Sequence, residues 1–214
     1  MPYLPRLWIC RDEIDKWDNE KLILFILFIP VPRLRNRRMK KIIVIGSGGA
    51  GKSTFSRRLG DALGIPVIHL DQLYWRPNWD KMPKPDWEAT VAELVKGHSW
   101  IMDGNFGGTR EMRMRAADTI IFLDVPRRIC LYRAIKRALK YRGTNRPDMA
   151  EGCNEKLDLE FIGWVWNYPG RARKRIIDEM KEFPDKRFVT LRSSSEIDLF
   201  FERIKNQSYG MDQR

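Results

Sequence analysis

Residues 46–53 read Gly-Ser-Gly-Gly-Ala-Gly-Lys-Ser, which satisfies the pattern G-x-x-x-x-G-K-[ST] without a mismatch. The pattern lies between a β-branched run at 41–45 and a segment at 51–63 in which apolar residues recur at helical spacing. In such a strand-turn-helix arrangement the glycines let the backbone curl around an anion, and the N-terminus of the helix adds its positive dipole end. The sequence therefore predicts a phosphate-binding loop.

Each residue type in this loop has an expected task. Lys52 is expected to reach the β- and γ-phosphates of a nucleotide, and the hydroxyl of Ser53 is expected to ligate Mg²⁺. The alternative is a glycine-rich turn with an incidental lysine. We predict ATP with Mg²⁺ as the ligand, and the residues expected to bind it are Gly46, Ser47, Gly48, Gly49, Ala50, Gly51, Lys52, Ser53 and Thr54.

The remainder of the chain alternates short apolar runs with helical segments. Strands are predicted at 41–45, 66–70, 100–102, 119–123 and 187–191, and helices at 51–63, 86–97, 127–140 and 195–206. A loop-like segment is predicted at 142–153, followed by one or two further helices between 154 and 182, broken at Pro169-Gly170. Strands separated by helices form a parallel sheet that is covered on both faces. We predict a three-layer α/β/α fold of the P-loop NTPase type, with a five-stranded parallel sheet of order 2-3-1-4-5 and a helical lid insertion.

Three aspartates, Asp71, Asp103 and Asp124, each follow a predicted strand. In an open α/β sheet the ligand lies over the carboxyl ends of the strands, so all three could face the phosphates. Mg²⁺ is a hard cation that prefers carboxylate oxygens, often through its waters. An aspartate after a strand also commonly caps the next element, so each has a purely structural alternative.

The sequence resembles the nucleoside monophosphate kinase group, adenylate kinase especially, in three stretches: 46–54, 103–106 and 124–137. In adenylate kinases a Val-Pro pair is followed by arginines seven and eleven positions after the proline, and Val125-Pro126 is followed here by Arg133 and Arg137. The resemblance implies that these arginines flank the triphosphate and that Asp103 lies near the magnesium. The family's Asp-Gly-Phe-Pro-Arg is replaced by Asp-Gly-Asn-Phe, and the nearest arginine is Arg110.

Two narrower resemblances add to this. Asp71 is similar to the strand-two acid of shikimate-type and uridine-type kinases, which implies a carboxylate facing the phosphoryl acceptor. Residues 39–206 resemble the small P-loop proteins named DNA topology modulation proteins. The matching stretches are His69-Leu70-Asp71, Asp103-Gly104-Asn105, Arg146-Pro147-Asp148-Met149 and Glu151-Gly152-Cys153, continuing to Phe161.

Residues 126–147 contain eight lysines and arginines and no acid. Because uncompensated cations repel one another, we interpret this segment as a basic helix leading to a mobile lid at about 138–153 that closes on an anionic ligand. The alternative is a solvated basic face, which is what most charge runs are.

The first 38 residues differ from the rest of the chain. They contain an eight-residue apolar run, Leu22–Ile29, which is about half the length needed to span a bilayer. Three interpretations are open: an upstream translation artefact with Met39 as the natural start, a natural extension, or a weak membrane-surface anchor. We expect domain boundaries at 1–38, 39–206 and a tail at 207–214. The three scattered cysteines suit a reducing cytoplasm rather than a disulfide framework.

Two functions from different classes remain at this point. The first is a small-molecule or nucleotide kinase that uses ATP and Mg²⁺, with Lys52, Asp71, Asp103, Arg133 and Arg137 as the catalytic set and Ser53 and Asp103 at the metal. The second is a nucleotide-binding regulatory protein that contacts DNA, which the net charge of +12 would also suit. The sequence contains no helix-turn-helix, zinc-finger or RNP motif, so we favour the kinase. It identifies neither the acceptor nor the oligomeric state.

Overall fold

The computed structural model describes residues 39–144, 146–155 and 158–209. The strands are β1 (Lys41–Gly46), β2 (Val67–His69), β3 (Trp75–Arg76), β4 (Asp80–Lys81), β5 (Trp100–Asp103), β6 (Thr119–Leu123) and β7 (Arg187–Leu191). The helices are α1 (Lys52–Leu63), α2 (Leu70–Tyr74), α3 (Lys84–Leu94), α4 (Gly107–Ala116), α5 (Arg127–Lys140), α6 (Leu159–Tyr168), α7 (Lys174–Lys181) and α8 (Ser194–Tyr209).

Five of the strands form one parallel sheet in the order β2-β5-β1-β6-β7. Counted among these five strands alone, the order is 2-3-1-4-5, so the predicted parallel sheet with flanking helices is confirmed. The phosphate loop leaves the central strand β1. Its neighbours β5 and β6 end beside it, which brings the segments that follow them to the same edge of the sheet.

Alternate residues of the central strands enter two different cores, because successive side chains of a strand point to opposite faces. Ile42 and Val44 of β1 pack on one face with Phe55 of α1. Ile43 and Ile45 pack on the other face, in a cluster that reaches α4 and α7. The near-continuous apolar runs seen in the sequence are therefore explained by burial on both faces.

The segment after β2 contains a short helix and a hairpin that the sequence pattern did not predict. The strand ends at His69, and α2 begins at once, so Asp71 lies in the first turn of a short helix and not directly at a strand end. The two-residue strands β3 and β4 then form an antiparallel hairpin around Pro77–Trp79. We call residues 70–81 the acceptor-side insertion.

The helix predicted at 127–140 is observed as α5, which ends at Lys140, and the described residues from 141 to 155 form turns, as the loop-like prediction for 142–153 indicated. The break expected at Pro169-Gly170 does not occur, because a π-helical turn at Pro169–Arg173 carries the helical path from α6 into α7. Proline is tolerated at the start of a helical segment, where its missing N–H is not needed.

The predictions about residues 1–38 lie outside the described residues, as do those about 210–214. Residues 207–209 of the expected tail continue α8. Within the part of the chain that the structure describes, no helix is long and apolar enough to cross a membrane.

Candidate active site

The phosphate loop joins the end of β1 to the start of α1. Its backbone depends on glycine at Gly49, where φ is 77° and a Cβ would lie 2.1 Å from the carbonyl oxygen of Cys130. A side chain there would strain the backbone and collide with α5. The ammonium of Lys52 donates to the carbonyl of Ser47 at 3.1 Å, so the lysine folds back across the loop. This is the geometry expected of a phosphate cradle.

Asp71 faces this loop from α2. Its Oδ1 accepts a hydrogen bond from the indole of Trp75 at 3.3 Å. Burial raises the pKa of the Asp71 carboxyl above its ordinary value and Asp103 raises it further, while Lys52 and Arg146 act in the opposite direction. The structure thus brings together three residues predicted from sequence, Lys52, Asp71 and Asp103.

Asp103 is the last residue of β5 and is paired with a histidine that the sequence reasoning did not use. Its Oδ2 lies 3.0 Å from Nδ1 of His69, and the two side chains are 5% and 11% exposed. The register pairs His69 opposite Asp103 across β2 and β5. The signal that could have found this pair is that both residues end neighbouring strands of the predicted sheet.

Asp124, the third aspartate considered for magnesium, has a different partner. The guanidinium of Arg173 donates to both of its oxygens, with distances of 2.8, 3.0 and 2.9 Å, and Nε of Arg192 lies 3.7 Å away. This bidentate pairing satisfies the carboxylate. Asp71 and Asp103 therefore remain as the aspartates beside Lys52.

The two arginines predicted to flank the triphosphate differ in their surroundings. Nη1 of Arg133 lies 3.9 Å from the position of a Cβ on Gly51, which places it beside the phosphate loop. Arg137 instead has its Nε 3.3 Å from Glu155, and its guanidinium lies over the ring of Phe161 at 5.5 Å. Burial and the nearby Arg146 lower the pKa of Arg137.

Part of the positive charge of residues 126–147 is neutralised within the protein, contrary to the expectation from the sequence. The segment 126–147 contains no acid, but the acids that neutralise part of it lie just beyond its end. Glu155 is 2.5 Å from Nε of Arg146 as well as being paired with Arg137, and Nη1 of Arg146 lies 3.6 Å from Asp148. Two of the eight cations therefore have buried counter-charges, and the charge run alone does not require an anionic ligand.

The segment predicted to be a lid lies against the acceptor-side insertion. We call residues 141–155 the strap. The side-chain amide of Gln72 donates to the carbonyl of Pro147 at 2.7 Å. The N–H of Asn78 and the indole of Trp79 donate to the carbonyls of Gly152 and Asn154, each at 3.0 Å. The strap and the insertion are thus hydrogen-bonded to each other at several points.

The strap also reaches the phosphate loop through Asp148, a residue to which the sequence patterns assigned no role. Burial acts to raise its pKa, but Arg146 and a hydrogen bond with the hydroxyl of Ser53 hold the pKa below its ordinary value. Asp148 thus contacts the hydroxyl that the sequence assigns to Mg²⁺. Arg146, at 8% exposure, belongs to the same buried group.

The groups available to a metal ion are oxygen donors, as Mg²⁺ prefers. Ser53 supplies a hydroxyl, while Asp103 and Asp148 supply carboxylates. Among the described residues, no three His, Cys, Asp or Glu side chains form a cluster that could hold a metal ion. Mg²⁺ in phosphate sites is usually bound by one or two carboxylates and the substrate's own phosphates, so this set fits such an ion.

Comparisons with known proteins agree with this architecture. No protein-family model matches the sequence. The chain is 26% identical over 189 residues to a cytidylate kinase of Nitratidesulfovibrio vulgaris, covering 79% of this chain and 76% of that one. It is 37% identical over 65 residues to a bifunctional pantoate ligase/cytidylate kinase of Synechocystis sp., covering 29% of this chain and only 13% of that protein.

A solved structure shows the same fold. It is a shikimate kinase from Acinetobacter baumannii in complex with shikimate, with a TM-score of 0.51 and 19% identity, covering 82% of this chain and 96% of that one. The phosphate loop, the sheet order and these similarities together give this chain a P-loop kinase-like fold.

Proposed function

We propose that this protein is an ATP-dependent kinase that transfers the γ-phosphoryl group to a hydroxyl of a small molecule or nucleotide. The observation that carries the proposal is that a half-buried carboxylate, Asp71, lies within electrostatic reach of Lys52 of the phosphate loop. A loop that only bound a nucleotide would not need a desolvated base beside its lysine. Buried acids with perturbed pKa values concentrate at sites of proton transfer.

The reaction supported by these residues is an in-line displacement at phosphorus. The acceptor hydroxyl oxygen forms a bond to the γ-phosphorus, while the bond from that phosphorus to the β–γ bridging oxygen breaks and ADP leaves. Asp71 takes the proton of the hydroxyl, for which its raised pKa suits it. Lys52 and Arg133 balance charge on the transferred group. Arg137 can balance this charge only if its guanidinium leaves Glu155 and binds the phosphate instead.

Mg²⁺ is the proposed metal, and Ser53 with Asp103 are the residues we assign to it. When bound, the ion would neutralise charge on the phosphates and hold them in one orientation. Asp148 is a third candidate because it already contacts Ser53. The pairing of His69 with Asp103 would orient that carboxylate toward the site.

The test is a measurement of ADP release against a panel of nucleosides, nucleoside monophosphates and small hydroxylated metabolites. We expect one class of acceptor to raise ADP release well above the rate of ATP hydrolysis in water alone. Asp71→Asn should remove the acceptor-dependent part and keep ATP binding, whereas Asp80→Asn on the exposed hairpin is the matched control and should change neither. ATP binding with no acceptor-dependent turnover for any compound, and the same rate for Asp71→Asn, would contradict the proposal.

The narrower resemblance to DNA topology modulation proteins offers a second function, a nucleotide-binding regulator that contacts DNA. It is supported by the exposed basic side chains of α5, which include Arg128, Lys136 and Lys140. We rank it below the kinase because a basic surface alone does not explain why Asp71, with its raised pKa, lies beside Lys52. The arginine variants described in the Discussion separate the two.

A further inference from the structure

Asn105 lies just beyond the last residue of β5 that pairs with β1, and it is hydrogen-bonded to Gly46, the first residue of the phosphate loop. β5 pairs with β1 as far as Asp103 opposite Val44, and the N–H of Gly104 still donates to the carbonyl of Val44 at 3.2 Å. Beyond this point Oδ1 of Asn105 accepts from the N–H of Gly46 at 3.1 Å, and its Nδ2 donates to the carbonyl of Gly46 at 2.8 Å. A side-chain amide thus supplies the donor and the acceptor that a further strand residue would have supplied.

The loop that contains Asn105 is hydrogen-bonded to an arginine that is fully buried. Arg113 of α4 donates to three consecutive carbonyl oxygens, those of Gly104, Asn105 and Phe106, at 2.9, 2.7 and 3.1 Å. Burial lowers its pKa to about 9, which leaves it protonated at neutral pH. The rigid fork of a guanidinium can bind several carbonyls at once, which the single ammonium of a lysine cannot do with the same geometry.

The backbone of this loop is not relaxed. Phe106 has a φ of 25°, in a region that residues other than glycine rarely adopt. Such a conformation persists only where the surrounding contacts determine it. The contacts here are Arg113 and the packing of the Phe106 ring on Tyr74 and Trp87, with centroids 4.8 and 4.9 Å apart.

We propose that Asn105 is a positioning residue for the phosphate loop and that Arg113 acts through it; this inference rests on the nucleotide binding proposed above. Neither residue is among those expected to bind the phosphates. Their effect is to fix Gly46, from which the loop departs. Gly46 also packs closely against β6, since a Cβ on it would lie only 2.6 Å from the carbonyl oxygen of Leu123. Gly46 is thus fixed by Leu123 and by Asn105.

The test is the dissociation constant of Mg-ATP, measured by calorimetry on the full chain well below the unfolding transition. We expect Asn105→Ala to weaken binding about tenfold, since two hydrogen bonds that fix the loop are lost. Arg113→Lys should weaken binding in the same direction, because it keeps the charge but not the fork. Asn105→Gln retains the amide on a longer side chain and should fall between the wild type and the alanine variant, which keeps a measurement available should the latter not fold.

The matched control is Asn167→Ala, on the exposed face of α6. It also removes a side-chain bond to a backbone carbonyl, from Nδ2 to Gly163 at 2.9 Å, and should leave the dissociation constant unchanged. A merely structural role for Asn105 would lower the binding stoichiometry and the free energy of unfolding, while the molecules that remain folded would bind as tightly as the wild type. That result would overturn the inference. A wild-type protein that does not bind Mg-ATP would overturn the proposed function as well.

Discussion

Glu155 is the acid on which two arginines of the site depend. Its side chain is 5% exposed, and its oxygens lie 3.3 Å from Nε of Arg137 and 2.5 Å from Nε of Arg146. Glu155→Gln keeps the size of the side chain and removes its charge. Removing one partner of a buried ion pair costs about 3–5 kcal/mol. Because Arg137 is 27% exposed and Arg146 retains Asp148 at 3.6 Å, we expect a smaller loss of about 2 kcal/mol.

The measurement is the free energy of unfolding in guanidinium chloride at neutral pH, with the slope against denaturant compared between variants. The control is Glu93→Gln, which removes an equally close but exposed pair, 2.6 Å from Lys96 with both side chains about 70% exposed. Exposed pairs contribute about 0–1 kcal/mol, so the control should stay within about 0.5 kcal/mol of the wild type.

The same variant should not weaken the binding of Mg-ATP. Once Glu155 is neutral, Arg137 and Arg146 lose a competitor for their charge and are more available to an anion. We therefore expect the affinity to be equal or higher, measured by calorimetry at a temperature where the variant is folded. A free energy of unfolding within about 0.5 kcal/mol of the wild type would refute the reasoning, because it would show that the cluster is not desolvated in solution.

Four further outcomes are expected. Lys52→Ala should abolish ATP binding measured by calorimetry, with little change in stability, and equal affinity in both proteins would exclude the phosphate-loop assignment. Asp71→Asn should abolish acceptor-dependent turnover. It should also raise the melting temperature by about 2–4 °C at pH 7, because burial of the ionised carboxylate opposes folding above its raised pKa. This gain in melting temperature should shrink as the pH falls. A chain that starts at Met39 should be folded and bind ATP, because β1 begins at Lys41; insoluble product would show that residues 1–38 are structural. Arg133→Ala should slow turnover more than Arg137→Ala, which is already paired; if turnover persists in both while salt-dependent DNA binding is lost, the regulator is the better proposal.

The strands of the sheet could be predicted from the sequence because the signals involved are local, whereas their order was predicted from the P-loop fold type. The apolar, β-branched runs predicted the bounds of β1, β6 and β7 to within one residue. The glycine-rich pattern after β1 is typical of a phosphate-binding loop. Burial on both faces gives continuous apolar runs rather than alternating ones, and the sequence shows them. These features depend on residues adjacent in the chain, so a pattern search is enough to find them.

Two expectations from the sequence, the helix break at Pro169-Gly170 and the uncompensated charge of residues 126–147, fail because they rest on neighbouring residues alone. Pro169 looks like a helix break when it is considered with its neighbours alone, but the first turn of a helical segment has no use for its missing N–H. The basic segment 126–147 looks uncompensated because its counter-charges are not within it. Arg137 and Arg146 are paired with Glu155, which becomes a neighbour only when the strap turns back. Tertiary contacts decide the second case, as they commonly override what neighbouring residues suggest.

The site divides in the same way. The phosphate loop itself is one continuous segment, in which the chemistry of the ligand dictates the residue types, so roles for Lys52 and Ser53 could be predicted from the sequence. The support of this loop and the proposed acceptor side depend on contacts between segments far apart in the chain: Gly46 and Asn105 are 59 residues apart, and Gln72 and Pro147 are 75 apart. No spacing rule links such residues. Gln72 and Pro147 join the acceptor-side insertion to the strap, so these two segments are where substitutions that change the choice of the proposed acceptor should be made.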